Sequence, residues 1–230
     1  MELPGTAAPV DSPAARREAL LARAAEVFAA RGFRDATIRE ICQRAGANVA
    51  AVHYHFGDKE RLYAEVLSST SREAARAQDG QGGPSAATPE QRLAEYVRFF
   101  IARVLAAGRE SIHGRLMTRE MVEPTAALDR VVDEFIRPQV EALRGLIAEI
   151  VGPGFSREDL SLLVMSVVSQ IVFYKHCDPV IRRLHRAEGR ELPDPDLLAA
   201  HITRFTLAAL RQLASSHHPP SAARPCSTLP

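Results

Sequence analysis

The sequence contains no tryptophan, only three cysteines, and no apolar run as long as the roughly 20 residues of a membrane-spanning helix. Cys42, Cys177 and Cys226 are too few and too widely spaced for a disulfide framework or a paired-cysteine zinc site. The first fifteen residues have neither the basic start nor the apolar centre of a signal peptide. We therefore expect a cytoplasmic protein that holds no metal and has no membrane partner.

Common enzyme signatures are missing as well. The sequence has no Gly-x-Ser-x-Gly nucleophile elbow, no phosphate-binding loop and no dinucleotide fingerprint. Glu110 and His113 have the spacing of one ligand pair in a di-iron bundle, but such a site needs two pairs and two further glutamates. These absences predict a protein that is not an enzyme and needs no cofactor.

Neither sign of charge predominates, because the sequence has 29 basic and 28 acidic residues and a net charge of +1. The overall charge therefore gives no sign of a nucleic-acid partner, and any such surface must be local. Residues 16–61 carry nine basic and six acidic side chains, a local surplus of three positive charges. This surplus is modest, and it favours approach to a polyanion.

Apolar residues recur at intervals of three and four throughout the chain, which predicts an all-α protein. Glycines and prolines divide the chain into helices, and Pro138 is expected to kink or split one of them. The expected helices cover residues 14–31, 37–45, 49–56, a segment from 58 that includes Leu67, and then 89–107, 109–121, 124–151, 156–176 and 194–214.

Two short helices in the first third have the spacing of a helix-turn-helix, whose second helix enters the DNA major groove. Thr37 and Glu40 form the pattern of a reciprocal capping box, Gly46 ends the first helix, and Asn48 can cap the second. The outward positions of the second helix are small or hydrogen-bonding and include no carboxylate. They are Asn48, Val49, Ala50, Ala51, His53 and Tyr54.

The predicted architecture is an N-terminal three-helix helix-turn-helix domain followed by a C-terminal helical domain for ligand binding and dimerisation. We expect the first domain at residues 14–67 and the second at 68–214. Residues 79–89, rich in Gly, Pro and Ser, are expected to form a mobile connection. Residues 1–13 and 215–230 are expected to be disordered tails.

The segment TIREICQRAGANVAAVHYHFGDKERLYAEVL, with the preceding ALLARAAEVFAARGFRDAT, resembles the DNA-binding domain of TetR/AcrR-type transcriptional regulators. The residues that carry this resemblance are Gly46, Tyr54, His55, Phe56, Lys59 and Glu60. Further along, TREMVEPTAALDRVVDEFIRPQVEALRGLI and SVVSQIVFYKHCDPVIRRL resemble the C-terminal domain of the CecR-like (YbiH-like) subgroup. The resemblance covers about residues 14–213.

The resemblance implies specific roles at the DNA backbone. Thr37 and Lys59 lie at helix N-termini in the family's pattern and contact phosphates. Tyr54 and His55, at the end of the recognition helix, hold the same backbone. These four residues therefore set the register of the protein on DNA.

Other positions are implied to contact bases. Arg39 can reach a guanine edge, and Asn48 can reach a base edge or a phosphate. Val49 and Ala51 suit thymine methyl groups. His53 stands where the family often has an aromatic residue, and it can donate to a base or a phosphate.

The function implied is that of a ligand-responsive transcriptional regulator, a repressor released from a palindromic operator in double-stranded DNA by a small molecule. The alternative is a helical protein-interaction module whose helix-turn-helix no longer binds DNA. Arg39 and Lys59 favour the first interpretation, because both can face phosphates or bases.

The last two long helices predict a homodimer. Residues 156–176 are apolar nearly all round, so this helix needs neighbours on more than one side, and residues 194–214 carry a matching stripe. Two such pairs can form a four-helix interface. The alternative is that both are ordinary core helices.

A mainly apolar effector cavity is expected within the C-terminal domain, although aromatics and methionines at helical spacing also fit an ordinary core. The candidate ligand-binding residues are Phe99, Arg103, His113, Met117, Glu120, Met121, Phe135, Gln170, Phe173 and Tyr174.

Overall fold

The computed structural model describes residues 12–76, 88–106 and 111–217, and these ranges contain helices and no strands. The all-α prediction is therefore confirmed. The α-helices are α1 (Pro13–Asp35), α2 (Ile38–Ala45), α3 (Val49–Phe56), α4 (Lys59–Arg76), α5 (Pro89–Ile101), α6 (Ile112–Val122), α7 (Ala127–Val131), α8 (Arg137–Val151), α9 (Arg157–His176), α10 (Asp178–Ala187) and α11 (Pro195–His217), with π-helical segments at Ala102–Ala106 and Val132–Ile136.

The described helices form two compact units, and neither unit is a continuous piece of the chain. The first unit contains residues 12–76 and 111–137, so that α6 and α7 pack with α1 and α4. The second contains residues 88–106 and 138–217. The domain limit expected at residue 68 stays a prediction from the sequence.

An aromatic cluster lies at the centre of the first unit. The ring of Tyr63 on α4 meets Phe28 of α1 edge to face at 4.8 Å and lies 5.0 Å from the ring of Phe33. Ile41 of α2 and Val52 of α3 are fully buried in the same core. The core therefore orients the two short helices against the longer α1 and α4.

The second unit has a core of branched aliphatic side chains. Leu93 and Val97 of α5 pack with Ile147 of α8, Ile171 of α9 and Leu198 of α11. None of the described helices is by itself long and apolar enough to cross a membrane; α9 and α10 reach that length and composition only together and are bent by 71°.

Gly32, which the sequence predicts to end the first helix, instead forms a kink within it. α1 continues to Asp35, but Gly32 inside it has φ +82° and ψ 173°, which is not helical. Only glycine adopts this conformation readily. The aromatic Phe33 that follows is turned onto Tyr63 as a result.

Gly32→Ala is expected to lower the free energy of unfolding by about 1–3 kcal/mol, because the backbone conformation is strained for any L side chain. Its new Cβ would also lie 2.9 Å from Nη1 of Arg119. Gly145→Ala in α8 is the matched control, since nothing lies within 4 Å of its added Cβ. That variant should gain about 0.5–1 kcal/mol in urea unfolding. An equal effect of the two changes would contradict this reading of the kink.

One expected helix is divided in the structure, and one observed helix is absent from the prediction. The helix expected at 124–151 begins at Ala127 and is divided by a π-helical segment that ends just before Pro138, which confirms the predicted split. Pro138 has no amide hydrogen to donate within the helix, which explains why regular geometry is lost there. α10 was not expected at all: it is short, and Pro179 in its first turn resembles a breaker in the sequence.

The segments expected to be disordered or mobile fall mainly on residues 1–11, 79–87 and 218–230, which lie outside the described residues, whereas Thr88 caps α5 and Pro89 begins it. Ser12 and Pro13 are described, and the Ser12 hydroxyl caps α1 by accepting from the Ala15 amide at 3.1 Å. Residues 215–217 continue α11.

Candidate nucleic-acid interface

The turn between α2 and α3 is built by local hydrogen bonds. The Thr37 hydroxyl accepts from the Glu40 amide at 3.1 Å and caps α2. Gly46 ends that helix in the left-handed conformation, with φ 63°, and the Ala47 amide donates to the Cys42 carbonyl at 2.9 Å. These bonds give the short connection of a helix-turn-helix.

Only half of the predicted capping box is formed. The Glu40 carboxylate accepts from Arg31 and Arg44, each at 2.9 Å, instead of reaching back to the Thr37 amide. The hydrogen bond from Arg31, more than any other contact, holds the pKa of Glu40 below its usual range. The Glu40 carboxylate therefore bonds to two guanidinium groups instead of one backbone amide, because a hydrogen bond between two charged groups is stronger.

α3 presents one side to the core and the opposite side to solvent. The Asn48 side chain caps it by accepting from the Ala51 amide at 2.8 Å, while Val52 and Phe56 are buried. The exposed side carries Val49, Ala50, His53 and Tyr54, the last with 83% of its surface accessible. These four predicted contact residues therefore share one surface without a carboxylate.

The other two predicted residues of α3 are less accessible. Ala51 and His55 are half-buried, and the His55 ring lies 4.9 Å from Tyr54 and 6.1 Å from Phe56. His55 therefore packs between an exposed and a buried ring. This position suits a residue that orients Tyr54 as well as one that contacts DNA.

The hydrogen bond of His53 fixes which of its nitrogens faces outward. Nδ1 lies 2.6 Å from the Gly57 carbonyl, which can only accept, so Nδ1 carries the hydrogen. Nε2 is then an acceptor in the neutral ring and a donor in the protonated one. The family's aromatic position is thus occupied here by a side chain that can form polar contacts.

The two predicted cationic contacts are placed differently. Arg39 is exposed on α2, and within the described residues it forms no ion pair. The ammonium group of Lys59, at the start of α4, donates to the Arg34 carbonyl at 3.1 Å and lies 4.7 Å above the Phe33 ring. Arg39 is therefore the more accessible charge, and Lys59 also fastens α4 to α1.

Sequence reasoning missed a charged network behind the recognition helix. The Arg17 guanidinium lies 4.8 Å above the Phe56 ring and donates to Glu65 at 2.9 Å. Arg130 of α7 donates to the same carboxylate at 2.9 Å, and also to Glu134. These bonds connect the end of α3 through α1 and α4 to α7, and no short-range pattern in the sequence indicates them.

A second polar cluster, formed by Tyr63, Glu120 and Thr125, joins α6 to α4. The buried Tyr63 hydroxyl donates to the Glu120 carboxylate at 2.7 Å, and the Thr125 amide donates to it at 3.0 Å. Burial, followed by this hydrogen bond to Glu120, raises the pKa of Tyr63. On the same helix, Arg119 donates to the Ala30 carbonyl of α1 at 2.8 Å. These bonds hold α6 against α4 and α1.

The ten predicted ligand residues are divided evenly between the two units. His113, Met117, Glu120, Met121 and Phe135 belong to the first, and Phe99, Arg103, Gln170, Phe173 and Tyr174 to the second. Met117 and Phe135 pack on the first core, whereas Met121 and Phe173 are exposed. Their role in effector binding stays a prediction.

Comparison with known families gives two matches. Residues 20–66 match the model described as bacterial regulatory proteins of the tetR family, and this range covers most of α1, all of α2 and α3, and the first part of α4. Residues 89–210, more than half of the chain, match the C-terminal domain of the HTH-type transcriptional dual regulator CecR. The two matches follow each other along the chain without overlap.

Individual relatives agree with these matches. The dual regulator CecR of Shigella flexneri is 28% identical over 169 residues, 69% of this chain and 75% of that protein. The transcriptional repressor KstR2 of Mycolicibacterium smegmatis is 44% identical, but over only 24% of this chain and 27% of its own length. A TetR-like regulator from Rhodococcus sp. RHA1 has the same fold, with a TM-score of 0.58 over 91% of this chain and 98% of that one at 18% identity.

Proposed function

Because the chain belongs to the TetR family of bacterial transcriptional regulators and carries the C-terminal domain of its CecR-type members, we propose that it is a homodimeric repressor released from palindromic operator DNA by a small molecule. The exposed side of α3 is the observation that carries this proposal. Val49, Ala50, His53 and Tyr54 lie there together, with no acidic side chain among them. A surface of this composition can approach phosphates and base edges closely.

We assign the contacts by chemistry. Arg39 reads a guanine edge, Val49 and Ala51 meet thymine methyl groups, and Asn48 and His53 supply hydrogen bonds at the same groove. The backbone contacts come from Thr37, Tyr54, His55 and Lys59, which lie at helix ends or beside them. Phosphate contacts act on all DNA sequences alike, whereas base contacts distinguish between them.

Arg39→Ala is expected to weaken binding to the operator by about 1–3 kcal/mol without changing binding to unrelated DNA, because it removes a base contact. Tyr54→Phe is expected to weaken both by a similar factor, because it removes a phosphate contact. Fluorescence anisotropy over a salt series on genomic fragments enriched by the wild-type protein measures both effects. Arg186→Ala, exposed on α10, is the control. Equal losses on all DNA for Arg39→Ala would contradict its assignment to a base.

The dimer is proposed to form through α9 and α11. Leu162, Met165 and Phe173 are exposed along one stripe of α9, and Leu197 and Phe205 are exposed on α11, each with at least half of its surface accessible. Large apolar side chains grouped in this way mark a protein interface. A second copy that uses the same surface gives the two-fold symmetry of a palindromic operator.

The effector is proposed to act through the CecR-type domain, and five of the ten candidate contacts, Arg103 among them, belong to the second unit. Within the second unit, the Arg103 guanidinium lies 4.6 Å from the Phe100 ring centre and donates to Gln139 at 2.7 Å. Burial lowers the pKa of Arg103, so this charge is held in an apolar setting. A ligand that releases the operator must bind the DNA-bound dimer more weakly by the same factor.

A further inference from the structure

A groove of about 800 Å³ lies between α5 and α11 in the second unit. Buried or half-buried Ala94, Ala199 and Leu207 form its floor, and exposed arginines stand around it. Alanine ends at Cβ, so this stretch of the helix pair leaves a trough that larger side chains would fill. None of the ten predicted effector contacts lines this groove.

The groove follows α11 for several turns. Its lining residues on α11 run from Asp196 to Arg211, about four turns of helix, which corresponds to about 22 Å at 1.5 Å per residue. Its volume lies within the range of about 300–1,000 Å³ that is typical of small-molecule sites. An unbranched chain fits such a trough better than a compact ring system.

The charge around the groove is mainly positive. Arg98, Arg204 and Arg211 line it together with one carboxylate, Asp196. Arg211 lies 3.9 Å from Glu90, whereas Arg98 and Arg204 form no ion pair in the part of the chain that the structure describes. Two guanidinium groups without an acidic partner among the described residues therefore border one apolar trough.

We propose that this groove binds an amphipathic anion, with an unbranched alkyl chain along the alanine floor and a carboxylate or phosphate group held by Arg98 and Arg204. Guanidinium groups bind both kinds of anion through paired hydrogen bonds, so the two head groups share one chemistry. The site lies within the second unit and does not depend on DNA binding. Its occupant is a small molecule and not an acidic helix, because the volume of the groove lies within the range of small-molecule sites.

Isothermal titration calorimetry on the full chain tests the proposal with decanoate, decyl phosphate, decyltrimethylammonium and acetate. At least one decyl anion should bind about tenfold or more tightly than the decyl cation, and acetate should show no binding. Binding of decanoate alone would assign a carboxylate head group, and binding of decyl phosphate alone would assign a phosphate. Binding of both would show that the groove selects for negative charge and not for one head group. Equal binding of the cation, or no binding of either anion, would overturn the proposal.

Variants locate the binding in the groove. Arg98→Ala with Arg204→Ala should weaken anion binding about tenfold or more, whereas Arg183→Ala with Arg186→Ala on α10 should leave it unchanged. Ala200→Leu, at an exposed lining position, should block the alkyl chain while circular dichroism shows an intact fold. Unchanged binding in the Arg98/Arg204 variant would refute the site. If that variant instead lost self-association and no decyl anion bound the wild type, the groove would be an interface between copies.

Discussion

Replacing Tyr63 by alanine is expected to lower the free energy of unfolding by about 3–5 kcal/mol, the range for deleting a buried aromatic ring. The side chain is 1% exposed, lies against Phe28 and Phe33, and donates its hydroxyl hydrogen to Glu120. Its loss removes packing on two rings and leaves a buried carboxylate with one donor fewer. Urea denaturation followed by circular dichroism measures the change.

Two tyrosine-to-phenylalanine variants separate the hydroxyl from the ring. Tyr63→Phe should cost about 1–3 kcal/mol, because only the hydrogen bond to the buried Glu120 is lost. Tyr54→Phe makes the same chemical change on a side chain that is 83% exposed, and it should leave stability unchanged. If Tyr63→Phe were as stable as the wild type, the hydrogen bond to Glu120 would not be a stabilising link between α4 and α6.

Charging the proposed interface with Leu162→Glu and Phe205→Glu together is expected to yield a monomer at low micromolar concentration. The two side chains are 64% and 61% exposed in the single chain, so the change should not disturb the core. Burying carboxylates in place of apolar groups should raise the dimer dissociation constant by at least about 100-fold. Sedimentation velocity measures the distribution of monomer and dimer.

The control for this variant is Val122→Glu, which charges a side chain of α6 that is 76% exposed and lies in the other unit. It should sediment as the wild type does. A dimer that persists in the Leu162→Glu/Phe205→Glu variant would place the interface elsewhere. A wild-type protein that is monomeric at the same concentration would contradict the proposed dimer and the palindromic operator that depends on it.

The local parts of the fold could be predicted from the sequence. The caps at Thr37 and Asn48 and the glycine at position 46 act within a few residues, so α2 and α3 appear where the spacing placed them. The family resemblance was also confirmed by matches at residues 20–66 and 89–210. Short-range signals sufficed because each helix boundary depends on its own neighbours.

The remaining features depend on contacts between distant residues. Tyr63 and Glu120 are 57 residues apart, and their hydrogen bond joins α6 to the helix-turn-helix unit. Lys59 was assigned to phosphate alone, but it also binds the Arg34 carbonyl and the Phe33 ring across two helices. Helical periodicity describes which face of a helix is apolar, and it does not say which partner covers that face.

Binding of genomic DNA by the wild type and by Ala50→Glu is the most direct test of the central claim that the exposed side of α3 reads DNA. Ala50 is exposed in the middle of that side, so a carboxylate there does not enter the core but keeps the base-reading side chains of α3 away from the DNA groove. Ala142→Glu, an exposed alanine of α8, is the control. We predict that the wild type and Ala142→Glu bind selected fragments about 10³-fold or more tightly than unrelated DNA and that Ala50→Glu loses this preference. Equal preference in Ala50→Glu, or no enriched fragment for the wild type, would contradict the claim.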